Sequence, residues 1–178
     1  MNTGRRALFV DYDGTISRIA PTPDQAMMSS RAARSLEILS RYIELVCIVS
    51  GRGVRDLWNK VGVEGIVYVG NHGVEYLNDG DVEVAPEVAA YRDDVKRVLD
   101  HLRAHADAPG LVWDDKYYSA SVHYRVAEDT GAARDGLAHA LVSAPGVDSL
   151  EVFWGKMVLE IRPPVGVHKG YAVRKLVG

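Results

Sequence analysis

Ala7-Leu8-Phe9-Val10-Asp11-Tyr12-Asp13-Gly14-Thr15 is the stretch on which the fold turns. Its four apolar residues read as a buried strand, and two aspartates one residue apart follow at once. Open α/β sheets take their ligands at the carboxyl ends of parallel strands, which is where these aspartates would stand. One carboxylate there can attack phosphorus to give an acyl phosphate, while a second protonates the leaving oxygen and then activates water. Gly14 permits a tight turn, and Thr15 offers a hydroxyl to a bound phosphate. An Asp-Gly pair also closes hairpins, but a hairpin needs a strand directly after it. Ser17-Arg18-Ile19-Ala20-Pro21-Thr22-Pro23 is a poor one.

Outward from this motif, strands alternate with helices. Ser30 to Tyr42 places Ala33, Leu36 and Leu39 on one helical face, with serines available to cap its start. Leu45 to Val49 is a second strand, Val54 to Val61 a short helix and Ile66 to Val69 a third strand. That β-α-β-α-β order predicts helices packed on a parallel sheet. From about residue 82 the pattern changes to a long helical stretch, Glu87 to Ala106, ending at Pro109-Gly110. Strand-like runs cover Leu111 to Asp114 and Tyr117 to Arg125; a helix, about Asp129 to Val142, precedes two more runs, Leu150 to Trp154 and Met157 to Ile161. Lys169 to Val177 again reads as helix. The expected architecture is α/β: a Rossmann-like parallel-sheet core formed by residues 1–81 and 163–178, with an α/β cap domain inserted at 82–162.

The chain of 178 residues is 47% hydrophobic and 25% charged, enough to bury a core. A formal charge of -3 gives no electrostatic reason to expect nucleic acid or an anionic membrane as partner, so any phosphate site must be built locally. Arg5 and Arg6 precede only four apolar residues before Asp11, too few for a signal peptide or a bilayer span. The single cysteine, Cys47, lies inside the apolar run Leu45 to Val49, so an intrachain disulfide is impossible and a buried thiol in a reducing, cytoplasmic setting is expected.

Asp11-Tyr12-Asp13-Gly14-Thr15 resembles the first motif of the haloacid dehalogenase superfamily, Asp-x-Asp-x-Thr after the first strand. Ser50 in Ser50-Gly51-Arg52 matches its second motif, a hydroxyl for a phosphoryl oxygen, and Lys169 in His168-Lys169-Gly170 matches its third, an ammonium facing the phosphate and Asp11. Within the branch that carries a large α/β cap, the chain is similar over nearly its whole length to the trehalose-6-phosphate phosphatase family. Four stretches carry that likeness: Ser50-Gly51-Arg52; Gly70-Asn71-His72-Gly73-Val74-Glu75; Asp114-Asp115-Lys116 with His123-Tyr124-Arg125; and Gly155-Lys156-Met157-Val158-Leu159-Glu160-Ile161-Arg162-Pro163.

The resemblance implies a hydrolase that cleaves trehalose 6-phosphate through an aspartyl phosphate, with Asp11 as nucleophile and Asp13 as general acid and base. It implies Mg²⁺ at Asp11 and at the backbone carbonyl of Asp13. Asp114, Lys116, Lys156 and Glu160 would grip the sugar, Arg125 and Arg52 would approach the phosphate end, and Thr15, Asn71 and His72 would join the substrate contacts. By strand alternation, Asp114 would share a face with Lys116, and Lys156 with Glu160. Read without the family, the same charges form a solvated sheet face with Lys and Glu paired across it. His72 and His123 lack regular ligand spacing and suit hydrogen bonding better than metal ligation.

Two positions depart from the family pattern: Asp114 stands where Glu is common, and His168 where Asn or Asp precedes the lysine. Another sugar phosphate, of the sucrose or mannosylglycerate type, stays open as substrate, as does a non-catalytic sugar-phosphate-binding module. A synthase partner is left undetermined. The superfamily's fourth, acidic motif should follow the Lys169 helix. The expectation is therefore a longer gene product, with roughly fifty further residues completing the core and pairing the apolar edge of the first strand.

Overall fold

A computed structural model describes residues 6–78 and 80–178. The chain divides into two compact units, residues 1–85 with 167–178, and residues 86–166.

In the first unit, β1 (Ala7–Val10), β2 (Leu45–Val49) and β3 (Val67–Gly70) run parallel, in register Leu8 to Val46 and Ile48 to Tyr68. Two antiparallel strands, β4 (Glu75–Asn78) and β5 (Asp81–Val84), extend the sheet to the order β1-β2-β3-β4-β5. This hairpin departs from the reading of three strands followed by helix. The Asp79-Gly80 turn signal and the alternation Asp81, Val82, Glu83, Val84 were its marks in the sequence. The central strands are buried on both faces, as parallel strands under helices must be. Val46, Ile48 and Tyr68 pack with Leu36 of α1 (Ser30–Tyr42) and with Val54 and Leu57 of α2 (Val54–Val61). Cys47, Val49 and Val69 turn the other way and cluster with Tyr76 and Ala172, the latter on α6 (Lys169–Val177). β1 forms one edge of this sheet among the described residues.

Helix ends in this unit are capped by side chains from near and far. Ser29 Oγ accepts from Ala32 N–H (3.2 Å) at the start of α1. The N-cap of α2 is Gly53, which has no side chain to offer, and the carboxylate of Glu75 on β4 accepts from Val54 N–H instead (2.7 Å). His168 caps α6, its Nδ1 accepting from Gly170 N–H (3.1 Å), so an imidazole does what Asn or Asp does at a usual N-cap.

The second unit holds an antiparallel sheet in the order β6 (Val112–Asp115), β7 (Ala120–His123), β9 (Val158–Arg162), β8 (Glu151–Gly155). The helical stretch read from Glu87 to Ala106 is two helices, α3 (Pro86–Ala89) and α4 (Arg92–His105). Val95, Leu99 and Leu102 of α4 pack with Leu137 and Ala140 of α5 (Thr130–Val142) on Ala120, Val122, Leu159 and Ile161. Alternation then sends Asp114, Ser121 and Glu160, paired across the sheet in one row, to the opposite face. No described helix is long and apolar enough to cross a membrane.

Candidate active site

The carboxyl ends of β1, β2 and β3 hold the first group of matched residues. After β1 the chain coils around one acceptor: the Tyr12 carbonyl accepts from the backbone N–H of Thr15, Ile16 and Ser17 and from Ser17 Oγ. The Tyr12 side chain is fully buried, and its hydroxyl donates to Ala26 O (3.0 Å). With Tyr12 pinned inward, its neighbours Asp11 and Asp13 remain partly open to solvent, and Thr15 lies exposed in the turn.

Asp11 is held at both oxygens. Oδ1 accepts from Tyr12 N–H (2.8 Å), and Oδ2 meets the Lys169 ammonium at 2.7 Å. Residues separated by 158 positions in the sequence are thus a direct ion pair. Lys169 opens α6, and that helix is placed in part by Gly73: a β-carbon there would lie 2.9 Å from the His168 carbonyl oxygen, and its φ of +113° is one that side-chain-bearing residues rarely adopt.

The β2–α2 loop brings Ser50 and Arg52. Ser50 is fully buried, and its hydroxyl accepts from Arg52 N–H (3.2 Å). The Arg52 guanidinium donates from each of its three nitrogens. Its Nε and Nη2 donate to the two oxygens of Asp13 (3.0 and 2.8 Å), Nη1 donates to Asp56 (2.9 Å), Nη2 also donates to Pro23 O (2.8 Å), and the guanidinium lies 5.1 Å from the Tyr12 ring centre. Burial works against its charge, but the carboxylates of Asp13 and Asp56 outweigh this and hold the group charged above its ordinary range. Asn71 and His72 bracket the same loop by backbone bonds: Asn71 N–H donates to Arg52 O (2.6 Å) and His72 N–H to Ser50 O (2.9 Å). The His72 ring covers Gly51 so closely that a β-carbon there would sit 2.6 Å from it. Asn71 and His72 both take positive φ, 51° and 59°, strain of the kind that collects at functional loops.

The second group lies on the open face of the second unit's sheet. Lys116 is in the hairpin just past β6, not on the strand, yet its ammonium lies 3.6 Å from Asp114 and 3.8 Å from Glu160. Ser121 stands between them, accepting from Lys116 Nζ (2.6 Å) and donating to Glu160 (2.7 Å). Lys156 does not share a strand face with Glu160, because it occupies the tight β8–β9 turn with Met157, whose φ is 63°. Arg125 reaches that turn, donating to Lys156 O (3.2 Å). His123 sits on the same face as Ser121, and burial, followed by the nearby Lys116 charge, lowers its pKa from 6.5.

Ser121 and Asp56 were not singled out in the sequence, and Glu75 stood there only as the last residue of one matched stretch. Asp56 was findable from its i,i+4 spacing to Arg52. Ser121 showed only as one polar residue between Ala120 and Val122, and Glu75 acts on a helix 21 residues earlier, where nothing local marks it.

A family model described as trehalose-phosphatase matches residues 9–178. The chain belongs to the trehalose-phosphatase family. A relative in that family, the trehalose-phosphate phosphatase of Mycobacterium marinum, is 35% identical over 178 residues, covering 97% of this chain and 44% of the relative. The chain therefore spans less than half the length of this curated relative. Among solved structures, a trehalose-6-phosphate phosphatase related protein matches with a TM-score of 0.83 at 23% identity, over 96% of this chain and 72% of that one. A haloacid dehalogenase-like hydrolase from Bacteroides thetaiotaomicron shares the fold with a TM-score of 0.61 at 16% identity, over 97% of this chain and 76% of that one.

The donors around Asp11 fit a hard divalent cation in kind. They are oxygens, and the Asp11 carboxylate is free of the bidentate arginine clasp that occupies Asp13. Among the described residues no group of three His, Cys, Asp or Glu side chains could hold a metal ion alone. Such an ion would share its shell with phosphate oxygens and water, as Mg²⁺ commonly does.

Proposed function

We propose that this member of the trehalose-phosphatase family carries the catalytic centre of an enzyme that hydrolyses trehalose 6-phosphate to trehalose and phosphate. The observation that supports it most is the Asp11–Lys169 pair at the carboxyl end of β1, with Asp13 two residues on. A carboxylate oxygen of Asp11 attacks phosphorus, and the bond from phosphorus to the sugar oxygen breaks as Asp13 gives that oxygen a proton. Asp13 then takes a proton from water, whose oxygen attacks the phosphoryl group and frees Asp11 and inorganic phosphate. Lys169 and the Ser50 hydroxyl face the transferring group, where fixed positive charge and donors count most. An Asp13 held at both oxygens by Arg52 cannot present a proton, so in this reading the clasp opens on one side during each turnover. When bound, Mg²⁺ would offset phosphate charge, with the Asp11 carboxylate and the Asp13 backbone carbonyl as its holders from this chain.

Asp114, Lys116 and Glu160 take the sugar in this reading, since charged side chains distinguish hydroxyls by paired hydrogen bonds, with Lys156 and Arg125 at the β8–β9 turn. The cap domain read at 82–162 corresponds in this reading to the second unit, residues 86–166. The reaction belongs to the cytoplasm and needs neither nucleic acid nor membrane. A panel of sugar phosphates tests the substrate: trehalose 6-phosphate should exceed sucrose 6-phosphate and mannosylglycerate phosphate in kcat/KM by at least about tenfold, the discrimination that one or two hydrogen-bonded hydroxyls support. Equal rates across the panel would remove the trehalose assignment and leave the reaction class.

A further inference from the structure

Ser121 sits in the middle of the charged face, fully buried, between a lysine side chain 7% exposed and a glutamate 17% exposed. A direct ammonium–carboxylate hydrogen bond spans roughly 2.7–2.9 Å. Lys116 lies 3.8 Å from Glu160 and 3.6 Å from Asp114, and the Ser121 hydroxyl bridges it to Glu160, accepting from the lysine at 2.6 Å and donating to the glutamate at 2.7 Å. Only position 121 of β7 can do this: it pairs across the sheet with Asp114 on one side and Glu160 on the other, while Ala120 and Val122 point into the core.

We propose that Ser121 is a positioning residue for the sugar, a built-in hydroxyl that keeps Lys116 and Glu160 spaced as a hydroxyl-bearing ligand requires. The inference rests on the sugar-binding reading given above. With the serine present, an incoming hydroxyl meets a donor and an acceptor already held apart and aligned, and little reorganisation is needed. Without it, the two side chains collapse into a closed ion pair that the ligand must break.

Calorimetric titration of this chain with trehalose tests the proposal. Ser121→Ala should weaken binding by about tenfold, the scale of one lost hydrogen-bonding group. Ser121→Thr, which keeps the hydroxyl, should bind within about twofold of wild type. If Ser121→Ala does not fold, Ser121→Cys, of nearly the same volume but with a poor donor, should show the tenfold loss. The proposal is overturned if the alanine or cysteine protein binds like wild type, or if the threonine protein is as weak as alanine, since a packing role would not be rescued by a hydroxyl. A wild-type chain that binds no trehalose overturns the sugar reading, and this inference with it.

Discussion

The Arg52–Asp13 clasp should be visible as a coupling energy. Two bonds of 3.0 and 2.8 Å join a guanidinium 8% exposed to a carboxylate 45% exposed. Fully exposed pairs contribute about 0–1 kcal/mol, and breaking a buried one costs about 3–5 kcal/mol. Asp13 can return to water when its partner is removed, which discounts the buried figure heavily, so a coupling of about 1–2 kcal/mol is expected. Arg52→Gln, Asp13→Asn and the double variant, unfolded in urea, close the cycle. Arg52→Gln alone should cost more than Asp13→Asn, because it also forfeits Asp56 and the Pro23 carbonyl. A coupling below about 0.3 kcal/mol, the level at which independent sites simply add, would refute the clasp.

Three further outcomes follow from the fold. His123 has a lowered pKa, so as pH falls below about 6.5 the unfolded chain takes up its proton first and stability declines until the folded imidazole is also charged; His123→Gln should flatten that decline, and an unchanged pH slope in urea unfolding would contradict the burial argument. The Cys47 thiol is fully buried and pushed up to about 12, so a thiol reagent at neutral pH should label it only as the chain unfolds, and prompt labelling of native protein would be inconsistent with its place in the sheet. His168→Ala should cost about 1 kcal/mol through loss of the α6 cap while His168→Asn should not, a difference thermal melting reads directly; equal melting of the two would mean the imidazole cap contributes nothing.

Much of the first unit was legible because its signals are local. Short apolar runs bounded by Gly, Ser and Asp mark parallel strands, and Asp11, Ser50 and Lys169 stand at element ends, where open α/β sheets take their ligands. The β4–β5 hairpin was missed although its turn signal and alternation are local, because each of its strands is only four residues long. Lys156 was misplaced onto a strand although the runs Leu150 to Trp154 and Met157 to Ile161 were read apart: the turn between them uses Met157 at positive φ, where Gly or Asn is the usual signal. Arg52 was assigned to the phosphate end by resemblance; the sequence does not show that Asp13 and Pro23, from an earlier segment, and Asp56, one helical turn on, take its donors.

Phosphate release from trehalose 6-phosphate, measured with and without Mg²⁺ for the wild-type chain and for Asp11→Asn, tests the central claim most directly. The account predicts release that depends on Mg²⁺ and falls by at least about a thousandfold in the variant, since an uncharged carboxamide cannot serve as the nucleophile. Release by Asp11→Asn at the wild-type rate would contradict it.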